Sequence, residues 1–307
     1  MSDAADPAGT QRALVLGGGG PVGVAWELGL AAGLASGGVD LSLADRVVGT
    51  SAGSITGALL KGGDDPAQLV DVVAALFAEN AGSSGADQVS TAALGQFMEL
   101  MFEPGATTDD PQAALAHLQM VGKFALEATT IPEESFVGTF TPILGGRAWP
   151  PGFACTAVDA NSGAFRVWDA AAEVPLERAV ASSCAVPGVY PPITVDGARY
   201  MDGGARSPLN ADLAAGYEAI VVVSVMIMEL PPGFDDPRIS GFFAAQRAAI
   251  DAVRATGSKV EVIAPDVEFM TLSGLGMNLM DFSIVGAAAE AGVRLGKLEA
   301  ERIAAIW

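Results

Sequence analysis

Short apolar runs punctuate this chain, and longer stretches with helical spacing separate them. The first run, Arg12 to Leu16 (RALVL), has the unbroken apolar character of a central parallel strand. Further strands are expected at Arg46 to Gly49, Phe153 to Val158, Ala164 to Trp168, Tyr217 to Met228 and in KVEVIAP at 259–265. Asn161-Ser162-Gly163 reads as the turn between two of them, and Asp196-Gly197 as a hairpin joining ITV to ARYM. Pro21 suits the first position of a helix reaching about Ala35, apolar on most sides (Trp26, Leu28, Leu30, Leu34) as a helix covered by other layers would be. Asp65-Pro66 caps and opens an amphipathic helix through Leu69, Val72, Val73, Leu76 and Phe77. Pro175 to Ser182, Phe242 to Arg254 and Ser283 to Ile306 complete the helices, the first stopped before Pro187 and the last closing the fold. Strand and helix alternate throughout, which predicts an α/β fold with a mainly parallel sheet and no internal repeat.

Two stretches interrupt that alternation. Residues 1–11 read as a disordered lead-in, and residues 81–90 and the PPGFDDPR segment as loops. From Thr91 to about Gly146, helical pieces rich in Met, Phe and Leu are broken by EPGATTDDP and TTIPEE. Residues 81–146 are therefore expected to form a helical cap inserted into a single domain of residues 1–307. Phe97, Met98, Met101, Phe102, Phe124, Phe136 and Phe140 are candidate walls for an apolar pocket, although such stripes more often serve a core.

Composition narrows the class. Half of the 307 residues are hydrophobic, enough for a large core. A formal net charge of −20 argues against nucleic acid as a partner and against polybasic docking on anionic membranes. The N-terminal MSDAADPAGTQR lacks a basic stretch followed by an apolar one, so it does not read as a signal peptide. Ala219 to Met228 is too short to span a bilayer. Cys155 and Cys184 make neither a metal spacing nor a disulfide framework, and a reduced, cytoplasmic protein is expected.

Three short motifs carry the candidate chemistry. Gly49-Thr50-Ser51-Ala52-Gly53 matches G-x-S-x-G, a turn that exposes a serine between strand and helix. The run Gly17-Gly18-Gly19-Gly20-Pro21-Val22-Gly23 presents successive bare N–H groups at a strand-to-helix junction, a nest for a phosphate or an oxyanion. Gly18, Gly20 and Gly23 also satisfy the dinucleotide fingerprint, with Asp40 about where a ribose-binding acid belongs. A serine needs a base to become a nucleophile. The single histidine, His117, lies in the expected cap and precedes the place a hydrolase triad would need it. A carboxylate is left, and Asp202-Gly203-Gly204 holds one at the end of a strand.

GGGGPVG, GTSAG and DGG, in this order and spacing, resemble the patatin-like phospholipase family, and PGVYPPI before DGG fits the same pattern. The resemblance runs from Ala13 to about Met228. It implies a three-layer α/β/α sandwich and a serine–aspartate dyad, with Ser51 as nucleophile and Asp202 as its base. It further implies an oxyanion hole of Gly18, Gly19 and Gly20, an elbow framed by Gly49 and Gly53, and hydrolysis of lipid acyl esters without metal or cofactor. Val22 stands where members commonly carry an arginine, and Arg206 is the candidate to supply a charge instead. The substrate expected is a lipid or small ester, with at most transient contact to a lipid surface because no anchor is encoded. Two other readings stand beside this one: a dinucleotide-binding oxidoreductase, and a non-catalytic lipid-binding protein on the same fold.

Overall fold

The apolar runs assemble into one eight-stranded sheet: β1 (Arg12–Leu16), β2 (Arg46–Gly49), β3 (Phe153–Asp159), β4 (Phe165–Trp168), β5 (Ile193–Val195), β6 (Ala198–Asp202), β7 (Ala219–Val223) and β8 (Lys259–Ile263). The structure is a computed structural model, and it describes residues 11–70, 72, 73, 75, 91–229 and 236–307. The expected lead-in, Leu76, Phe77, the loop at 81–90 and most of PPGFDDPR lie outside the described residues. The labelled helices are α1 (Gly20–Ser36), α2 (Ala52–Lys61), α3 (Thr91–Met101), α4 (Pro111–Glu127), α5 (Glu133–Gly138), α6 (Thr141–Leu144), α7 (Leu176–Ser183), α8 (Pro237–Arg254), α9 (Val267–Leu272) and α10 (Val285–Ala304).

β8, β7, β1, β2 and β3 pair in parallel, in that order. Alternate residues of the central strands enter different cores. Leu14, Leu16, Val221 and Val223 pack with residues of α1, α2 and α10, whereas Ala13, Val15, Ile220 and Val222 pack with Ile250 and Val253 of α8. Both faces are thus covered, which is why these strands read as unbroken apolar runs. The fold is α/β with a central, mostly parallel sheet between helical layers.

The antiparallel part places the candidate chemistry. On β3, Cys155 faces Gly49 on one edge and Trp168 on the other, while Ala157 faces Asp202 and Arg166. Since β4 takes one edge in both cases, β2 and β6 share the opposite edge of β3. They approach along it head-on, β2 ending at Gly49 and β6 at Asp202. Ser51 and Asp202 are brought together by this end-to-end meeting of two strands.

α1 and α10 run side by side in the same direction, so close that side chains are excluded between them. A Cβ on Gly29 would stand 2.1 Å from the Ala289 carbonyl oxygen, and one on Gly33 would stand 2.3 Å from that of Val293. Gly33→Leu is therefore expected to lower the melting temperature by roughly 5–10 °C, the effect of about 3 kcal/mol of overpacking in a domain of this size. An unchanged thermal melt would show that the helix pair can separate without loss.

Some elements differ from expectation. β7 ends at Val223, shorter than the apolar run to Met228, where the Ser224 hydroxyl closes on the Met226 carbonyl at 2.7 Å and turns the chain. α9 has only six residues and no long apolar period to announce it. Within the segment 91–146, α5 and α6 are part of the main core, where Phe136 stacks on Tyr190 at 4.2 Å and meets Phe140 edge-on. Phe97, Met101 and Phe102 pack against Phe242 and Phe243 of α8. Among the described residues, no helix is long and apolar enough to cross a membrane.

Candidate active site

The chain leaves β2 at Gly49 and enters α2 at Ala52, so Ser51 must turn within a very short space. It does so at φ 51° and ψ −117°, a conformation that costs a non-glycine residue about 1–3 kcal/mol. The flanking glycines make this possible. A Cβ on Gly49 would stand 2.3 Å from the Gly53 carbonyl oxygen, and one on Gly53 would stand 2.2 Å from that of Leu16. The strained turn is held from below: the Ser51 N–H donates to Ser183 Oγ at 3.0 Å, and the Ser51 carbonyl accepts from Ser54 Oγ at 2.6 Å and Cys184 Sγ at 3.3 Å.

Asp202 closes β6 with only 3% of its surface exposed, and Ser51 is 8% exposed. The Ser51 side chain lies beside the Asp202 carboxyl and favours its ionised form, as does the Gly204 N–H, which donates to its Oδ1 at 2.7 Å. Burial nevertheless outweighs both neighbours and pushes the Asp202 carboxyl up to about 7 from an ordinary 3.8. The first glycine of the motif is obligatory, since a Cβ on Gly203 would stand 2.2 Å from Thr156 Oγ1.

Beside this pair runs the glycine loop. It is tied to the elbow by the Gly53 N–H, which donates to the Gly17 carbonyl at 3.0 Å. The expected set of three oxyanion donors needs one correction. The Gly18 N–H donates to the Pro208 carbonyl at 2.9 Å, so it points away from any ligand at Ser51. Gly18 lines the site through its bareness instead: a Cβ there would lie 3.4 Å from that of Ser51. Among the described residues, the N–H groups of Gly19, Gly20 and Ala52 have no hydrogen-bond acceptor. Ala52 is the first residue of α2, and an N–H immediately after the elbow serine is placed for this role.

Other candidates are placed elsewhere. Val22 is fully buried in the core rather than lining the site. Arg206 does not supply the missing charge: its guanidinium donates to Asn210 and Asp212 and lies 4.2 Å over the Phe165 ring. His117 packs against Gly105 inside the helical segment, with its imidazole pushed down by burial. Cys155 and Cys184 are both buried free thiols, pushed up by burial. Asp40 follows the 17-residue α1, which leads away from the glycine loop for about 25 Å at 1.5 Å per residue. There its carboxylate accepts from the Ser42 N–H at 2.9 Å. The dinucleotide reading needed that acid at the loop's own end of the sheet, and the helix carries it to the other.

Two buried polar residues had no sequence signal strong enough to find them. Asn210, fully buried at φ 48°, donates to the Ser207 carbonyl at 2.8 Å and to Thr50 Oγ1 at 3.0 Å. Thr50 Oγ1 in turn meets Thr156 Oγ1 at 2.9 Å, so one amide braces the residue before Ser51 and the turn after Asp202. Glu27 on α1 is 1% exposed and faces Thr56 and the Gly17 amide, and burial pushes its carboxyl well above the usual range. Burial thus disfavours a negative charge behind the glycine loop, where it would oppose any anion bound in front.

The family model for patatin-like phospholipase matches residues 14–215. No curated protein sequence matches the chain. Among solved structures, VipD from Legionella pneumophila is similar at 12% identity and a TM-score of 0.41, over 91% of this chain and 67% of that one. The type III effector protein ExoU is similar at 16% identity and a TM-score of 0.39, over 95% of this chain and 54% of ExoU, so the chain spans about half of ExoU's length. The family match takes in the glycine loop, the serine elbow and the Asp202 turn together, across well over half of the sequence, and on that extent the chain belongs to the patatin-like phospholipase family.

Proposed function

We propose that the protein is a serine acyl hydrolase that cleaves carboxylic esters of lipids through an acyl-enzyme on Ser51. The observation that chiefly supports this reading is the Ser51 side chain set beside a buried carboxyl poised near neutrality, next to N–H groups with no acceptor of their own. Asp202 takes the Ser51 proton as Oγ attacks the ester carbonyl. The carbonyl oxygen becomes an oxyanion, which Gly19 and Gly20, with Ala52 opposite, stabilise by about 3 kcal/mol per donor. Asp202 returns the proton to the leaving alcohol, then accepts one from the water that releases the acyl group. Membership of a lipid-hydrolase family favours a lipid or small ester as substrate. Two buried free thiols fit a reduced, cytoplasmic setting.

Purified protein is expected to hydrolyse p-nitrophenyl butyrate at pH 8, with the rate unaffected by a chelator. Absence of turnover on this and on dispersed long-chain esters, together with a rise in melting temperature on adding a nicotinamide dinucleotide, would favour the oxidoreductase reading. Absence of turnover without such a rise would leave a lipid-binding protein on a hydrolase fold.

A further inference from the structure

The excursion between β8 and α10, residues 264–284, has features that the ester chemistry does not use. β8 runs parallel to β7 and β1, so it finishes at Ile263 on the same end of the sheet as Ser51. α10 departs from that end beside α1, with Ala289 against Gly29 and Ala300 against Gly37. The first part of the excursion packs along α10, where Glu268 pairs with Arg294, and its later residues return to the mouth of the candidate site. They also touch the glycine loop: the Leu279 carbonyl accepts from the Val22 N–H at 3.3 Å, and it would lie 2.5 Å from a Cβ on Gly20.

At the middle of the excursion Gly274, Leu275 and Gly276 all adopt positive φ, at 58°, 59° and 86°. Leucine is a costly choice there, since nothing in its side chain relieves the crowding that glycine avoids. The turn is fastened by its own bonds, from the Leu275 N–H to the Met270 carbonyl at 2.8 Å and from the Asn278 N–H to the Ser273 carbonyl at 2.9 Å. On this fastened turn Leu275 and Met277 are 64% and 69% exposed. Two large apolar side chains are thus presented to water by a strained backbone, next to the loop that would hold an oxyanion. Charge restricts what they meet. Residues 264–284 contain Asp266, Glu268 and Asp281 and no Lys or Arg, within a chain of net charge −20. An anionic surface would be repelled.

We propose that the Leu275–Met277 turn inserts into a lipid–water interface of no net charge and seats the glycine loop and Ser51 against it. The inference rests on the lipid-hydrolase reading for its purpose, but its test does not depend on turnover. In a Ser51→Ala background, which prevents hydrolysis of the probe, the protein is expected to float with phosphatidylcholine vesicles. Leu275→Asp/Met277→Asp is expected to lower that binding roughly a hundredfold or more, the scale of losing two inserted apolar side chains. Leu275→Gly, which suits the backbone and so preserves the turn, is expected to weaken it as well. With Ser51 restored, all three forms should turn over monomeric p-nitrophenyl butyrate equally. Absence of flotation, equal flotation of the variants, or tighter binding to vesicles containing phosphatidylserine would each overturn the proposal. Flotation lost in the variants of a protein that hydrolyses no ester would uphold the docking turn while removing the proposed activity.

Discussion

Ser51→Ala is expected to reduce ester turnover by roughly 10⁴-fold or more while leaving the fold intact, the scale seen when a serine nucleophile is removed. The fold should survive because the groups that hold the elbow are backbone atoms: the Ser51 N–H on Ser183 and the Ser51 carbonyl under Ser54 and Cys184. Alanine keeps the Cβ and inherits the same strained φ of 51°. The loss should therefore fall on kcat at unchanged melting temperature. The Ser51 side chain also lowers the proton affinity of Asp202, so removing it should raise the carboxyl above about 7. Retention of turnover in Ser51→Ala would place the nucleophile elsewhere.

Asp202→Asn is expected to cost roughly 10³-fold or more in kcat, since the amide cannot accept the serine proton. Its sharper signature is in pH dependence. The base must be ionised to act, so kcat/KM of the native protein should rise with pH up to about 7 and level off above it. At pH 5, two units below, it should be about a hundredfold lower. Stability should move the opposite way. Asp202 keeps its proton in the folded chain up to about 7, whereas the unfolded chain releases it near 3.8. Between those values the folded state binds more protons, so this group's contribution falls as pH rises and is least above 7. Three pK units correspond to about 4 kcal/mol. Asparagine has no charge to bury, and its amide can turn its oxygen to the Gly204 N–H. The variant should gain stability on the native protein as the pH goes from 4 to 8 in urea titrations. A constant difference across that range would mean that Asp202 is not held near neutrality.

This opposition explains why the site sits where it does. A carboxyl buried well enough to be basic is a burden on the fold, and so is a serine at positive φ. Both are attached to the ends of strands in a sheet whose two faces are fully packed. Asn210 and Ser183 fix the residues on either side. The geometry of the candidate pair is carried by rigid neighbours rather than by the two groups themselves.

Much of this was legible from sequence because it is local. Apolar runs gave β1 and β2 with their bounds and β8 with two residues too many, and G-x-S-x-G gave the elbow, since a tight turn dictates its residues within a few positions. The pairing of Ser51 with Asp202 is not local, and only the combination of three motifs pointed to it. What escaped depends on contacts between remote segments. Gly18 looks like its neighbours in sequence, and only the approach of Pro208 turns its N–H away. Arg206 stands beside the Asp202 turn in sequence, yet Asp212 and Phe165 draw its guanidinium off. Phe136 and Phe140 have the same spacing in a cap as in a core, and the stacking of Phe136 on Tyr190, with Phe140 edge-on to Phe136, decides between them. Asp40 sits at a suitable distance along the chain from the glycines, but a helix of fixed rise puts it at the wrong end.

The most direct test of the central claim is to treat the folded protein with a fluorophosphonate and read the mass of the intact chain and of its peptides. The account predicts a single adduct, located on Ser51, formed faster as the pH rises through about 7 and strongly slowed in Asp202→Asn. An unmodified chain, or an adduct on any other residue, would contradict it.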